Sequence, residues 1–189
     1  ALKGSKAGFR VVIVSGDKDM MQLVSPEVQM LDTMKNKWIG VNEVKEKFGV
    51  PPEKVIEVMG LMGDSSDHIP GVKGVGPKTA TELIQKYGSI EKLYKCIDEI
   101  EKKKLKEKLV QDKERALLSR KLVTIDTAMK LECSLDDLKV RPSKNEDLRK
   151  LFSEFEFSSM LAVLEDGSEE TSKTTEPLKK KYETVLTKA

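Results

Sequence analysis

The segment Phe9-Arg10-Val11-Val12-Ile13-Val14-Ser15, closed by Gly8 and Gly16, limits the fold of this chain more than any other. Four β-branched apolar residues in succession leave no polar face for solvent, so they predict a strand buried on both sides in a parallel sheet. Leu2 to Gly8 reads as the last turns of a helix feeding that strand, with Gly8 as its stop, which implies that more chain precedes residue 1. After Gly16-Asp17 the pattern predicts a short helix over 19–23, then strands over 28–33 and 37–39 joined by a turn at Asn36. Residues 1–40 are therefore expected to be α/β, the carboxy-terminal part of an incomplete parallel-sheet core.

Beyond Val41 the strand signals fade into helical spacing. Gly49 stops a short helix over 44–48, and Pro51-Pro52 opens another with Val55, Ile56, Met59, Leu61 and Met62 along its apolar side. Pro77 occupies a first helical position and Ser89 is an N-cap. Residues 104–123 read as one long charged helix. Residues 148–155 read as a shorter one whose Leu151, Phe152 and Phe155 enter a core rather than stack on bases. This gives a helical subdomain over 41–123 and a closing segment with helices over 124–165. In 166–189, the stretch 166–177 is too polar to offset the entropy of ordering and reads as a linker. Residues 181–186 alternate like the first strand of a further domain, so truncation at both ends is expected.

Composition narrows function by exclusion. The 189 residues carry a net charge of only +2, so any attraction to nucleic acid must come from local clusters. Val11 to Val14, the longest aliphatic run, is far short of the roughly 20 residues needed to cross a bilayer, and no basic-then-apolar leader opens the sequence. Cys96 and Cys133 stand apart from any other Cys or His and are expected to be buried free thiols. The lone His68 removes a Ser-His-Asp triad and multi-histidine metal sites. Trp38 is expected to pack. Carboxylate chemistry, or binding alone, is what remains.

Three segments could carry that chemistry. Gly16-Asp17-Lys18-Asp19 lies just past the carboxyl end of the buried strand, the edge where open α/β sheets bind ligands. Gly63-Asp64-Ser65-Ser66-Asp67 follows the Pro51-Pro52 helix. Each pair alone is also an ordinary turn or cap. Together, four carboxylates at one place would repel unless cations neutralised them, and with oxygen donors only the ions would be Mg²⁺ or Mn²⁺. Two such ions about 4 Å apart are the arrangement that splits phosphodiesters. The third segment, Ile69 to Ala80, spaces Gly74 and Gly76 around Val75 and runs into a Pro77-Lys78-Thr79 helix start. Its backbone N–H groups, helix terminus and Lys78 form an anion cradle that reads the backbone and not the bases. A fourth feature, residues 101–121, holds nine basic against four acidic side chains. It is either a further DNA contact or a solvated helix face.

These residues resemble the 5′-nuclease domains of bacterial DNA polymerase I, members of the flap endonuclease superfamily. The likeness runs over about residues 7–165, through Ser15-Gly16-Asp17-Lys18-Asp19-Met20, Leu61-Met62-Gly63-Asp64-Ser65-Ser66-Asp67 and Ile69 to Ala80. It implies a PIN-like α/β core followed by a helix-hairpin-helix-type DNA-binding subdomain. It further implies that Asp17, Asp19, Asp64 and Asp67 are catalytic ligands of two Mg²⁺ or Mn²⁺ ions. Lys73, Gly74, Val75, Gly76, Lys78 and Thr79 would grip duplex DNA, with a K⁺ on hairpin carbonyls. The implied partners are double-stranded, flapped or RNA-primed DNA and covalently linked polymerase and proofreading domains. The implied setting is a monomer in the bacterial cytoplasm at the nucleoid, active in primer removal and repair. His68 replaces the family's usual Asn and is expected to be a tolerated change. The family's other cluster acids and its helical arch would precede residue 1, so this chain taken alone is expected to bind duplex with little or no cleavage.

Two rivals remain. A non-catalytic duplex-binding module would keep the hairpin without the chemistry. A nucleotide-phosphate enzyme is disfavoured, because no Gly-Lys-Ser/Thr or dinucleotide fingerprint is present.

Overall fold

The computed structural model describes residues 1–165, so the expected linker and following strand lie outside the described residues. They divide into two compact units, the first Ala1–Leu138 and the second beginning at Lys139.

The first unit opens with α1 (Leu2–Lys6), which ends where Gly8 turns at φ +82°. Strand β1 (Val11–Val14) follows, then a 3₁₀ helix over Lys18–Leu23, β2 (Val28–Asp32) and β3 (Lys37–Ile39). β1 pairs parallel with β2, Val11 opposite Val28, and β2 pairs antiparallel with β3, Met30 opposite Ile39. Asn36 at φ +47° makes the turn between β2 and β3, a conformation Asn tolerates better than most residues. The sheet order β1-β2-β3 leaves β1 at an edge, and its burial falls short of the expectation. Val11, Val12 and Ile13 are only half-buried and Val14 is 63% exposed. The apolar run specified a strand, but among the described residues only one neighbouring strand and few side chains cover it. Trp38, on the outer strand of the hairpin, is 48% exposed and does not join the core.

Helices then take over. α2 (Val41–Phe48) begins earlier than its apolar spacing indicates, because Glu43 Oε2 accepts the Gly40 N–H at 2.7 Å and closes the first turn. α3 (Val55–Met62) follows a 3₁₀ turn at Pro52–Lys54. It is apolar nearly all round, as a helix surrounded by others must be. Val55, Val58, Met59 and Leu61 are fully buried, and α3 packs on α4 (Pro77–Tyr87), α5 (Ile90–Lys95) and a later helix, α7. Ser89 caps α5 by accepting the Lys92 N–H at 3.2 Å.

The long charged helix is in fact two, α6 (Lys103–Gln111) and α7 (Lys113–Val123), broken at Asp112. Asp112 is buried, and its Oδ2 accepts the Lys73 N–H at 2.8 Å, a tertiary bond that local spacing does not reveal. α7 lies against α3 at Gly60, where a Cβ would stand 2.8 Å from Arg120 Cβ and 2.9 Å from Ile90 Cδ1. Arg120 reaches back from α7 to Glu57 of α3 at 3.4 Å and also pairs with Glu91 of α5. Glu57 is buried and its Oε2 accepts the Ile90 N–H at 2.8 Å.

The second unit contains α8 (Asn145–Glu154) and α9 (Ser158–Glu165). Its phenylalanines correct the expectation of a core: Phe155 is 59% and Leu151 47% exposed. Phe152 and Phe155 do cluster with Phe157, ring centroids 6.2 and 6.0 Å away, but so short a described segment cannot close a core around them. Both thiols are free, yet neither is buried: Cys96 is half-buried and Cys133 exposed. No helix among the described residues is long and apolar enough to cross a membrane.

Candidate metal and nucleic-acid site

Two glycines build the acidic loop. α3 ends at Gly63, φ +72°, and Gly71 at φ +57° faces it. A Cβ on Gly63 would lie 2.5 Å from Ile69 O, and one on Gly71 would strike Gly63 N, so only glycine allows this approach. Between them the chain closes on itself: Asp64 N–H donates to Ile69 O at 2.8 Å and Ile69 N–H to Asp64 O at 2.7 Å. Asp64 Oδ1 also accepts the Ser66 N–H at 3.0 Å. His68 sits in this loop at φ +57°, exposed, in a left-handed conformation that Asn reaches more readily than most residues.

The 3₁₀ helix after β1 brings Asp19 to the same place. One oxygen from each of Asp19, Asp64 and Asp67 lies within 4.8 Å of the others. Asp64 is buried, Asp19 half-buried and Asp67 exposed. Asp17 is not in this set: it is exposed, and its Oδ1 caps the 3₁₀ helix by accepting the Asp19 N–H at 2.9 Å. Its charge still reaches the group. Burial, and then the charges of Asp17, Asp64 and Asp67, push the Asp19 carboxyl above the usual range.

Lys18 is the residue that motif reading passes over. Its ammonium lies 2.8 Å from Asp64 Oδ1 and 2.6 Å from Oδ2. Burial would raise the Asp64 carboxyl, but the Lys18 hydrogen bond and the Ser66 N–H outweigh it and hold Asp64 below its ordinary value. The same hydrogen bond raises Lys18. The signal in the sequence is a lysine between two aspartates, which a protein needs where it must balance converging acids.

The donor set suits a hard divalent cation. All candidate ligands are carboxylate oxygens, and Asp19 Oδ1 is buried without a hydrogen-bond partner among the described residues, an orphan that an ion would satisfy.

The glycine hairpin begins directly after this loop. Val72 and Val75 are buried and anchor it, with Val72 N–H bonded to Leu61 O at 2.8 Å. Lys73, Gly74, Gly76 and Lys78 are exposed and Thr79 half-buried. Two amides of the expected cradle are already engaged, Lys73 N–H by Asp112 and Val75 N–H by Val72 O at 3.0 Å. Those of Gly74 and Gly76 have no acceptor among the described residues. Ser119 of α7 braces the hairpin from behind, its Oγ accepting the Gly71 N–H at 3.0 Å. Neither Asp112 nor Ser119 carries a local signal of this role.

An α/β sheet whose strand edge meets an acidic loop, with a helical subdomain behind it, is the class of protein seen here. The chain belongs to the 5′-3′ exonuclease family: residues 50–146 match the family's C-terminal SAM fold and residues 1–49 its N-terminal resolvase-like domain. It is 42% identical over 181 residues to DNA polymerase I of Bacillus caldotenax, covering 92% of this chain and 20% of that protein. It is 41% identical over 140 residues to flap endonuclease Xni of Pectobacterium carotovorum, covering 74% of this chain and 54% of that one. The chain thus spans about a fifth of the polymerase relatives it matches. In fold it is similar to a bacteriophage T5 flap endonuclease determined as a complex with DNA and metal ions. There the TM-score is 0.57 at 23% identity, over 65% of this chain and 46% of that one.

Proposed function

We propose that this chain is the part of a 5′-3′ exonuclease and flap endonuclease that supplies one side of its metal centre and its duplex grip. The observation that carries the proposal is the meeting of Asp19 with Asp64 and Asp67, from elements some forty-five residues apart, beside a hairpin with unengaged backbone amides. Asp19, Asp64 and Asp67 would hold Mg²⁺ or Mn²⁺, with Asp17 adding negative charge from the adjoining turn. Divalent ions at such a centre supply activation of water and stabilisation of the leaving oxygen in phosphodiester hydrolysis. The protein's own part is to fix the carboxylates and to balance the buried one: the Lys18 ammonium pairs with Asp64, the paired Asp64–Ile69 bonds hold the loop, and the Asp17 cap holds Asp19. Lys73, Gly74, Val75, Gly76, Lys78 and Thr79 would hold the sugar-phosphate backbone, and a K⁺ on hairpin carbonyls belongs to the same reading. Duplex, flapped and RNA-primed DNA are the proposed substrates. Attachment to polymerase and proofreading domains is a further part of the proposal, supported by the match to one fifth of DNA polymerase I; a monomeric state and a place at the bacterial nucleoid complete it.

The Lys18–Asp64 ion pair favours a second reading, duplex binding without cleavage, since a protein cation already balances the buried acid. Titration with Mn²⁺ separates the two. Under the first reading the chain binds Mn²⁺, and Asp19→Asn and Asp64→Asn each weaken binding at least tenfold while duplex affinity in EDTA is kept. Equal Mn²⁺ binding by Asp64→Asn and the unaltered chain would overturn it.

A further inference from the structure

Gly74, whose amide is unengaged, lines a cleft of about 250 Å³ together with Thr79, Lys102, Lys104, Leu105 and Lys108, with no acidic residue in its lining. Lys106 of α6 is held by an acid, pairing with Asp98 at 2.7 Å. Lys102, Lys104 and Lys108 have no acidic partner within ion-pair distance among the described residues. Glu82, Glu99 and Glu101 line the adjoining cavity, which shares Thr79, Lys102 and Leu105 with this one, so Lys104 and Lys108 are the ammonium groups farther from acids. Three unneutralised ammonium groups around one opening repel each other, a cost that an anion removes.

Their placement follows from the break between α6 and α7. Lys104, Lys108 and Asp112 are spaced four apart and share one helix face. Asp112 fixes that face to the hairpin through the Lys73 N–H, so Lys108 is carried over Gly74, where a Cβ would run into its Nζ. Gly74, at φ +78°, thus serves two ends, the turn itself and room for the ammonium beside the backbone.

We infer that Lys102, Lys104 and Lys108, with the Gly74 amide and Thr79, form a binding site for a backbone phosphate of duplex DNA, extending the grip from the hairpin onto α6. This rests on the duplex-binding reading above and adds residues to it. A phosphodiester oxygen is the anion the cleft suits, because the site is open, offers point charges, one amide and the Thr79 hydroxyl, and has no aromatic group on which a base could stack.

The test measures duplex affinity of the full chain in EDTA by fluorescence anisotropy over a series of salt concentrations, for the unaltered chain, Lys104→Gln/Lys108→Gln and Lys106→Gln. The double variant is expected to bind at least tenfold more weakly and to lose about one unit of salt slope per phosphate contact removed. Lys106→Gln should keep the slope. Thermal melting checks that each variant folds. Steep, salt-dependent binding by the unaltered chain with equal slopes for the double variant and Lys106→Gln overturns this site and leaves the duplex reading standing. No salt-dependent binding by the unaltered chain overturns both. Inorganic phosphate at constant ionic strength is the arm for a free anion. Amide shifts confined to Gly74 and Thr79, together with displacement of the duplex at millimolar phosphate, would assign the site to free phosphate and overturn the strand assignment.

Discussion

The Lys18 ammonium lies 2.6 Å from Asp64 Oδ2, so the most buried carboxylate of the acidic group is met by a cation from the protein itself. Lys18 sits between Asp17 and Asp19, and the pair ties the turn after β1 to the loop after α3.

Replacing that lysine should therefore have two opposite effects. Lys18→Met leaves Asp64 without its counter-charge. The loss expected in EDTA is about 1–3 kcal/mol, between the values for exposed and buried pairs because Lys18 is partly solvated. Mn²⁺ affinity should rise, since a competing cation is gone. Denaturant melts in EDTA and Mn²⁺ titration measure the two, and unchanged values in both would refute the role of Lys18.

Asp112→Ala removes the acceptor for the Lys73 N–H and frees the α6–α7 junction. Losing a part-buried hydrogen bond to a charged acceptor costs about 1.5–3 kcal/mol. Equilibrium unfolding should show the loss, and hydrogen exchange at Lys73 should accelerate more than exchange in α3.

These two residues mark where the sequence stops being legible. The strand at Val11–Val14, the stops at Gly8 and Gly49, the helix start at Pro77 and the cap at Ser89 depend on neighbours in the chain, and local chemistry reveals them. The approach of Asp19 to Asp64 and Asp67 is legible because repeated acids next to glycine turns are costly unless they share a purpose. The partner of Lys18, the acceptors Asp112 and Ser119, and the exposure of Val14 and Phe155 depend on residues distant in sequence. Periodicity assigns Phe155 an apolar face but cannot say whether anything covers it. It assigns 104–123 a helix but is blind to a bond between Asp112 and Lys73.

Gly60→Ala tests the packing of α3 on α7. The substitution gains about 1 kcal/mol of helix propensity, but its methyl would press on Arg120 and Ile90, and overpacking costs about 1–3 kcal/mol. Since one neighbour is backbone, Arg120 Cα at 3.1 Å, the net change should be destabilising, read as a lower melting temperature. A rise would show that α7 can move aside.

Glu91 gives a pH test away from the acidic group. Its hydrogen bond to Arg120 holds its carboxyl below the ordinary value of 4.5. A carboxylate whose folded value is depressed adds stability above its unfolded value and loses it as pH falls through the folded one. The melting temperature of the unaltered chain should therefore exceed that of Glu91→Gln near neutrality. The gap should be constant down to about pH 4.5 and close below it. A gap that widens in acid would reverse the assignment.

Under the proposed function, the facing glycines at positions 63 and 71 set the distance between a bound strand and the acids. Neither can accept a methyl group, so the acid loop and the hairpin are clasped with no slack between them. A strand seated at Gly74 has its offset from the carboxylates set by the covalent length of about ten residues, which makes this short stretch a ruler whose graduations any larger side chain would erase.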